Sequence, residues 1–134
     1  MKVKYKSGYK YQLVRYYRLK TDIKGRNIET YYISLNPEGL LSIKKGYAWD
    51  GPSGPTIDTK NSMRGALVHD ALYQLMREGL LPEDQRGIAD KLLRDICIED
   101  GMYGWRANLW YAAVRKFAGF AAEPDNAKEI ITAP

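Results

Sequence analysis

Five consecutive residues, His69-Asp70-Ala71-Leu72-Tyr73, hold the side chains of this chain best suited to chemistry, and His69 is its one histidine. In a helix, His69 and Tyr73 share a face and Asp70 points about 100° round the axis. One turn would then present a general base, a metal-ligating carboxylate and a phenol to a common site. Asp90 follows after a short connection and can face His69 if the two helices pack antiparallel. A carboxylate on one imidazole nitrogen fixes the tautomer and leaves the other nitrogen as a base. Upstream, the stretch Gly46-Tyr47-Ala48-Trp49-Asp50-Gly51-Pro52-Ser53-Gly54-Pro55 has too much glycine and proline for a regular helix or central strand. Its tight turns favour exposed carbonyls, which, with a carboxylate, can hold calcium, and calcium can polarise an ester carbonyl. The chemistry supported is metal-assisted hydrolysis with water as nucleophile.

Plainer readings stand beside this one. A lone histidine on a helix is more often a satisfied structural residue, and the glycine- and proline-rich stretch also reads as a crossover from sheet to helices. Several classes are excluded. One histidine cannot build a two-histidine zinc site, and metal-dependent phosphohydrolases with a His-Asp pair need further histidines. Gly-x-Ser-x-Gly is absent, as is a glycine-rich phosphate loop with its lysine. Cys97 falls in a periodic helical segment and reads as core.

The elements that must position these residues follow from pattern. Residues 8–23 are rich in Tyr, Val and Leu and predict one or two strands. A turn at Lys24–Asn27 leads to a β-like segment, Ile28–Leu35. Asn36-Pro37-Glu38-Gly39 is a strong turn signal before a strand at Leu40–Ile43. Helix one is predicted from Asn61 or Ser62 to Glu78, stopped by Gly79, with Met63, Leu67, Ala71 and Leu75 in its apolar stripe. Gly65 and Ala66 are read as leaving room near the imidazole. Helix two starts near Pro82 and ends by Gly101, with Asp90 at the border of its core face. Helix three spans about Trp105–Phe117, closed by Gly119, and residues 121–134 form an extended tail. The expected fold is α+β: one domain with a small antiparallel β meander (1–45), a Gly/Pro loop (46–60), three helices (61–119) and a tail (120–134).

The length of 134 residues suits one domain, and 45% hydrophobic with 28% charged residues argues against disorder. No apolar run approaches the roughly 20 residues of a membrane span, and the N-terminus lacks a secretory signal. A single cysteine allows no internal disulfide and fits a reducing compartment or an assembly that never needs oxidation. Residues 1–26 carry nine Lys/Arg against one acid, so +8, and the total of +5 leaves −3 for residues 27–134. Tyr5, Tyr9, Tyr11, Tyr16 and Tyr17 interleave with those cations. Such a segment can meet phospholipid headgroups or nucleic acid, or it is a strand edge guarded by lysines.

His69-Asp70-x-x-Tyr73 resembles the active-site helix of the phospholipase A2 superfamily. Asp90 in Ala89-Asp90-Lys91-Leu92-Leu93 is similar to the aspartate that orients its histidine. Asp50-Gly51-Pro52-Ser53 with Pro55 resembles the calcium loop, most closely those of the bacterial and parvoviral branches. Asn108–Gly119 is similar to the last helix of the bacterial branch. This resemblance covers about residues 47–119 and implies a three-helix phospholipase A2-like unit. Over the full length, the meander, Gly46-Tyr47, Asp50–Ser53, His69–Tyr73 and Arg86–Asp90 resemble an uncharacterised family common in bacteriophages and prophages.

Carried over residue by residue, the first resemblance implies that His69 takes a proton from water, that Asp90 holds His69, and that Tyr73 hydrogen-bonds Asp90. Asp70 would ligate calcium with oxygens of Trp49, Asp50, Gly51 and Ser53. The implied activity is calcium-dependent hydrolysis of a phospholipid ester, with the basic N-terminus on an anionic phospholipid surface. The flanking cysteines of the superfamily are absent here, Pro52 lacks an N–H, and Ser53 replaces a glycine of some branches. The alternative is a non-enzymatic phage virion or host-interaction protein on the same scaffold, with virion proteins as partners. Nucleic-acid binding through residues 1–26 is a third reading. The resemblance implies host cytoplasm or phage particle as the location.

Overall fold

Alternation of apolar and polar residues builds the first part of the chain into short strands. Ile33 and Leu35 are buried around Ser34, and Leu41 and Ile43 are buried around Ser42, so each strand gives one face to the interior. The computed structural model describes residues 5–6, 11–49 and 60–117. It divides into two compact units, Met1–Asp50 and Gly51–Pro134. Asp50 to Thr59, Gly119 and the tail from residue 121 lie outside the described residues.

Among its described residues the first unit holds seven strands: β1 (Tyr5–Lys6), β2 (Tyr11–Leu13), β3 (Tyr17–Lys20), β4 (Ile28–Glu29), β5 (Ile33–Leu35), β6 (Leu40–Ile43) and β7 (Ala48–Trp49). They form two antiparallel sheets, ordered β1-β2-β7 and β3-β6-β5-β4. The register places Tyr17 and Ile33 on either side of Ile43, and Leu19 and Leu35 on either side of Leu41. The expected meander is present as β4-β5-β6, and β3 closes its far edge. Two readings change here. Ile28–Leu35 is a hairpin rather than one strand, because the Thr30 hydroxyl donates to the Ile33 carbonyl at 2.9 Å and accepts from the Ile33 amide at 3.0 Å. Those bonds reverse the chain at Tyr31 and Tyr32. Ala48–Trp49, expected in the loop, is a strand because Trp49 pairs with Tyr11 across the ladder and stacks with Tyr47. The turn at Asn36–Gly39 is as expected: the Asn36 side-chain oxygen accepts from the amides of Glu38 and Leu40, at 3.1 and 2.9 Å.

The second unit contains α1 (Lys60–Arg77), one turn of 3-10 helix (Glu83–Gln85), α2 (Arg86–Glu99) and α3 (Gly104–Phe117). The whole is thus α+β, with antiparallel strands followed by three helices. α1 was expected to bury one stripe, yet from Ser62 to Met76 every residue except Asp70 and Gln74 is buried. Helices buried on all sides carry few charges, and those they carry are paired. Leu67, Leu72 and Leu75 are fully buried, each contributing about 1.5–3 kcal/mol relative to exposure.

Glycine ends both α1 and α2 in the same way. Gly101 has φ +105°, its amide donates to the Ile98 carbonyl at 3.0 Å, and the Met102 amide donates to Cys97 at 2.9 Å. Gly79 repeats this pattern with Met76, and Leu80 with Leu75. The Gly101 stop turns the chain so that α3 packs back on α2. Leu93, Cys97, Met102, Ala107 and Trp110 form the core between them.

Candidate functional site

The site is set by how closely α1 and α2 cross. A Cβ built at Gly65 would lie 2.9 Å from Cys97 Sγ and 3.1 Å from the Leu93 carbonyl oxygen. The helices therefore touch where α1 has no side chain. The small residue was expected to make room for the imidazole; it instead lets two backbones approach. Helical spacing then carries the contact along the interface. One turn on from Gly65 is His69 and the next is Tyr73, while α2 runs back from Cys97 through Leu93 to Asp90. The antiparallel pairing expected from the short connection is what brings Asp90 opposite both.

Asp90 is 0% exposed, rather than at the border of the core face, and is the hub of the site. His69 Nε2 lies 2.7 Å from its Oδ1, and the Tyr73 hydroxyl donates to the same oxygen at 2.6 Å. The His69 and Tyr73 rings are 4.2 Å apart between centroids. On the other carboxylate oxygen, Arg115 Nη1 from α3 donates to Oδ2 at 3.0 Å. Arg86 Nη1 stands 3.9 Å from Oδ2 and donates to the Arg115 carbonyl at 3.2 Å.

A carboxylate taken out of water without partners would protonate. Burial does push Asp90 up, but hydrogen bonds from His69 and Tyr73, the charge of a protonated His69 and the bond from Arg115 outweigh it. The net result lies below the ordinary 3.8. Tyr73 is pushed well above the usual phenol value by burial and by the adjoining Asp90 charge, with Arg86 pulling the other way. The pair is thus a carboxylate and a neutral phenol near neutral pH. An ionised carboxylate only accepts, so His69 Nε2 carries the hydrogen, and in the neutral imidazole the lone pair is then on Nδ1. Nδ1 makes no hydrogen bond among the described residues. His69 is 8% exposed, enough to keep the ring largely dry. The arrangement is an imidazole oriented by a carboxylate, with its basic nitrogen unspent.

The other residues singled out from the sequence are placed as follows. Asp70 is half-buried on α1, one residue from His69. Trp49 is buried in β7. Asp50, Gly51 and Ser53 lie outside the described residues. Among the described residues, no three His, Cys, Asp or Glu side chains form a group that could hold a metal ion. Cys97 is buried, and burial, with the Asp100 charge, pushes its thiol up to about 12, which suits a packing role. No helix among the described residues is long and apolar enough to cross a membrane.

Sequence reasoning gives neither arginine a role in the site, although Arg86 opens the Arg86–Asp90 motif. Arg86 carried a usable signal, since Arg and Asp four apart on one helix are neighbours. Arg115 carried none of that kind: a basic residue in the last turn of α3 is accounted for by the helix dipole.

No curated protein and no solved structure matches this chain. Residues 28–114 match a domain family described as "Protein of unknown function (DUF1353)", and the chain belongs to that family.

Proposed function

We propose that this protein is a phospholipase A2-like hydrolase that cleaves a phospholipid ester, with His69 as the general base. The observation that carries the reading is the contact of His69 Nε2 with Oδ1 of buried Asp90, which leaves Nδ1 as the acceptor. In this mechanism Nδ1 takes a proton from a water molecule as that water attacks the ester carbonyl. Asp90 keeps Nε2–H in place and stabilises the imidazolium that forms. Tyr73 holds the shared carboxylate oxygen. The imidazolium then returns its proton to the leaving alkoxide. Calcium, when held by Asp70 with oxygens of Gly51 and Ser53, would polarise the ester carbonyl.

The test is release of free fatty acid from vesicles of mixed phosphatidylcholine and phosphatidylglycerol with calcium. Wild type is expected to release it, and His69→Gln to lower the rate at least a hundredfold, about what a general base contributes. Chelating calcium, or Asp70→Asn, is expected to abolish release. Equal release by wild type and His69→Gln would remove His69 from the mechanism, and no release by wild type would remove the hydrolase reading.

The second reading is a non-enzymatic phage virion or host-interaction protein. It is favoured by the exposed Tyr16, Tyr31 and Tyr32 of the first unit, with Arg18 over the Tyr16 ring and Lys44 over Tyr31. Loss of partner capture on Tyr31→Ala, with no fatty acid release by wild type, would select it.

A further inference from the structure

We propose that Arg115 is a positioning residue of the His69 site: it pins the plane of the Asp90 carboxylate, so that one oxygen is held toward His69 and Tyr73 while the other is tied to α3. The inference rests on the reading of His69 as the base, but its geometry stands apart from any activity.

Asp90 divides its oxygens between two helices. Oδ1 takes both bonds from α1, and Oδ2 takes the bond from α3. The terminal torsion of an aspartate is broad, so burial alone does not fix the plane of the carboxylate. Two donors on Oδ1 favour one orientation but leave the carboxylate free to tilt. A third donor on Oδ2, from the opposite side, removes that freedom. It also supplies a fixed cation that keeps the group an acceptor only. In the neutral imidazole, an acceptor-only Asp90 is what holds the hydrogen on His69 Nε2 and the lone pair on Nδ1. A neutral Asp90 could donate to Nε2 instead, and Nδ1 would then carry the hydrogen and be useless as a base.

Arg115 is itself held in place. Arg86, the first residue of α2, donates to the Arg115 carbonyl, so each helix fixes the arginine of the other. Gly87 lies under the guanidinium, where a Cβ would come to 3.5 Å of Nη1. Arg86 adds charge at 3.9 Å from Oδ2 without a hydrogen bond, so it cannot replace Arg115 in direction.

The full-length protein, labelled with nitrogen-15, tests this directly, because its one histidine gives an unambiguous imidazole spectrum. In wild type at mildly alkaline pH, Nε2 is expected to be pyrrole-like and Nδ1 pyridine-like. Arg115→Ala should move both signals toward an averaged pattern of mixed tautomers. Arg115→Lys, which keeps the cation, should restore most of the separation, and Arg86→Ala should leave the pattern near wild type. On vesicles, Arg115→Ala should lower kcat on the order of tenfold with KM little changed, the size seen for partners that orient a histidine from behind. A wild-type imidazole pattern in folded Arg115→Ala would overturn the proposal and reduce Arg115 to a tie between α2 and α3. If Arg115→Ala fails to fold, Arg115→Gln keeps the packing without the charge and is read by the same two outcomes. Absence of fatty acid release by wild type would remove the hydrolase reading while the spectra still decide the role of Arg115.

Discussion

Two charged clusters join α1 to α2, one at each end of the crossing, and they are built in opposite senses. Toward the start of α1, the buried partner is a cation. Arg64 donates from Nε and Nη2 to the two oxygens of Asp100, at 3.0 and 3.1 Å, and also pairs with Glu99. The carboxylates there reach solvent, with the Glu99 side chain 68% exposed. Two turns along α1, the buried partner is an anion, Asp90, and its partners include one group with an unspent nitrogen. A guanidinium cannot lose its proton at any ordinary pH, so the Arg64 cluster can only clasp. The Asp90 cluster holds an imidazole in one tautomer, so it can also move a proton. Both hold the helices together; one has the chemistry to do more.

That contrast is open to test, and the largest effect is expected at its centre. Asp90→Ala leaves Arg115 and His69 without their partner in a buried site, and should cost about 3–5 kcal/mol in chemical denaturation. A loss no larger than that of a surface substitution would mean that Asp90 is not the hub. Gly65→Ala comes next. Its Cβ meets the Leu93 carbonyl, which cannot swing aside, so a loss of about 1–3 kcal/mol is expected. Adding Cys97→Ala should recover only part, since it relieves the sulfur and not the carbonyl. Full recovery would place the close contact at the side chain alone. Arg64→Ala should cost about 1–2 kcal/mol, because Asp100 and Glu99 can turn to water. It should leave the His69 spectrum unchanged, and a tautomer shift there would dissolve the distinction between the two clusters.

The smallest effect is on acid stability. Asp90 is held below its ordinary 3.8 in the folded protein. A depressed carboxyl contributes stability that is complete above the unfolded value and is lost as pH falls through the folded one. The loss attributable to Asp90 should therefore begin just under pH 4 and grow below it. Asp90→Asn should flatten that part of the pH–stability curve, and parallel curves for the two proteins would contradict the assignment.

How far the sequence reveals such a site depends on what kind of spacing carries it. His69 and Tyr73 are legible because four residues on a helix fix a shared face, and Asp90 because a short connection makes its helix antiparallel. Gly65 is legible only in part: a glycine shows that something approaches closely, not what. Asp90 reads as the border of the core face because it neighbours Ala89 in the apolar pattern, and only its partners explain why it is fully buried. Arg115 depends on how α3 returns across α2, which follows from the Gly101 stop and the packing of Met102 and Trp110. No local pattern reports that geometry. The strands show the same limit. The Asn36–Gly39 turn is written in residue types, whereas the turn at Tyr31 and Tyr32 rests on a threonine hydroxyl inside what reads as a continuous strand.

The central claim is that Asp90 holds His69 with its hydrogen on Nε2 and leaves Nδ1 as the base. With one histidine in the chain, long-range proton–nitrogen correlation on the wild-type protein tests it in a single spectrum. The account predicts a pyrrole-like Nε2 and a pyridine-like Nδ1. A pyrrole-like Nδ1 with a pyridine-like Nε2 would contradict it, because the nitrogen needed as base would already carry the hydrogen.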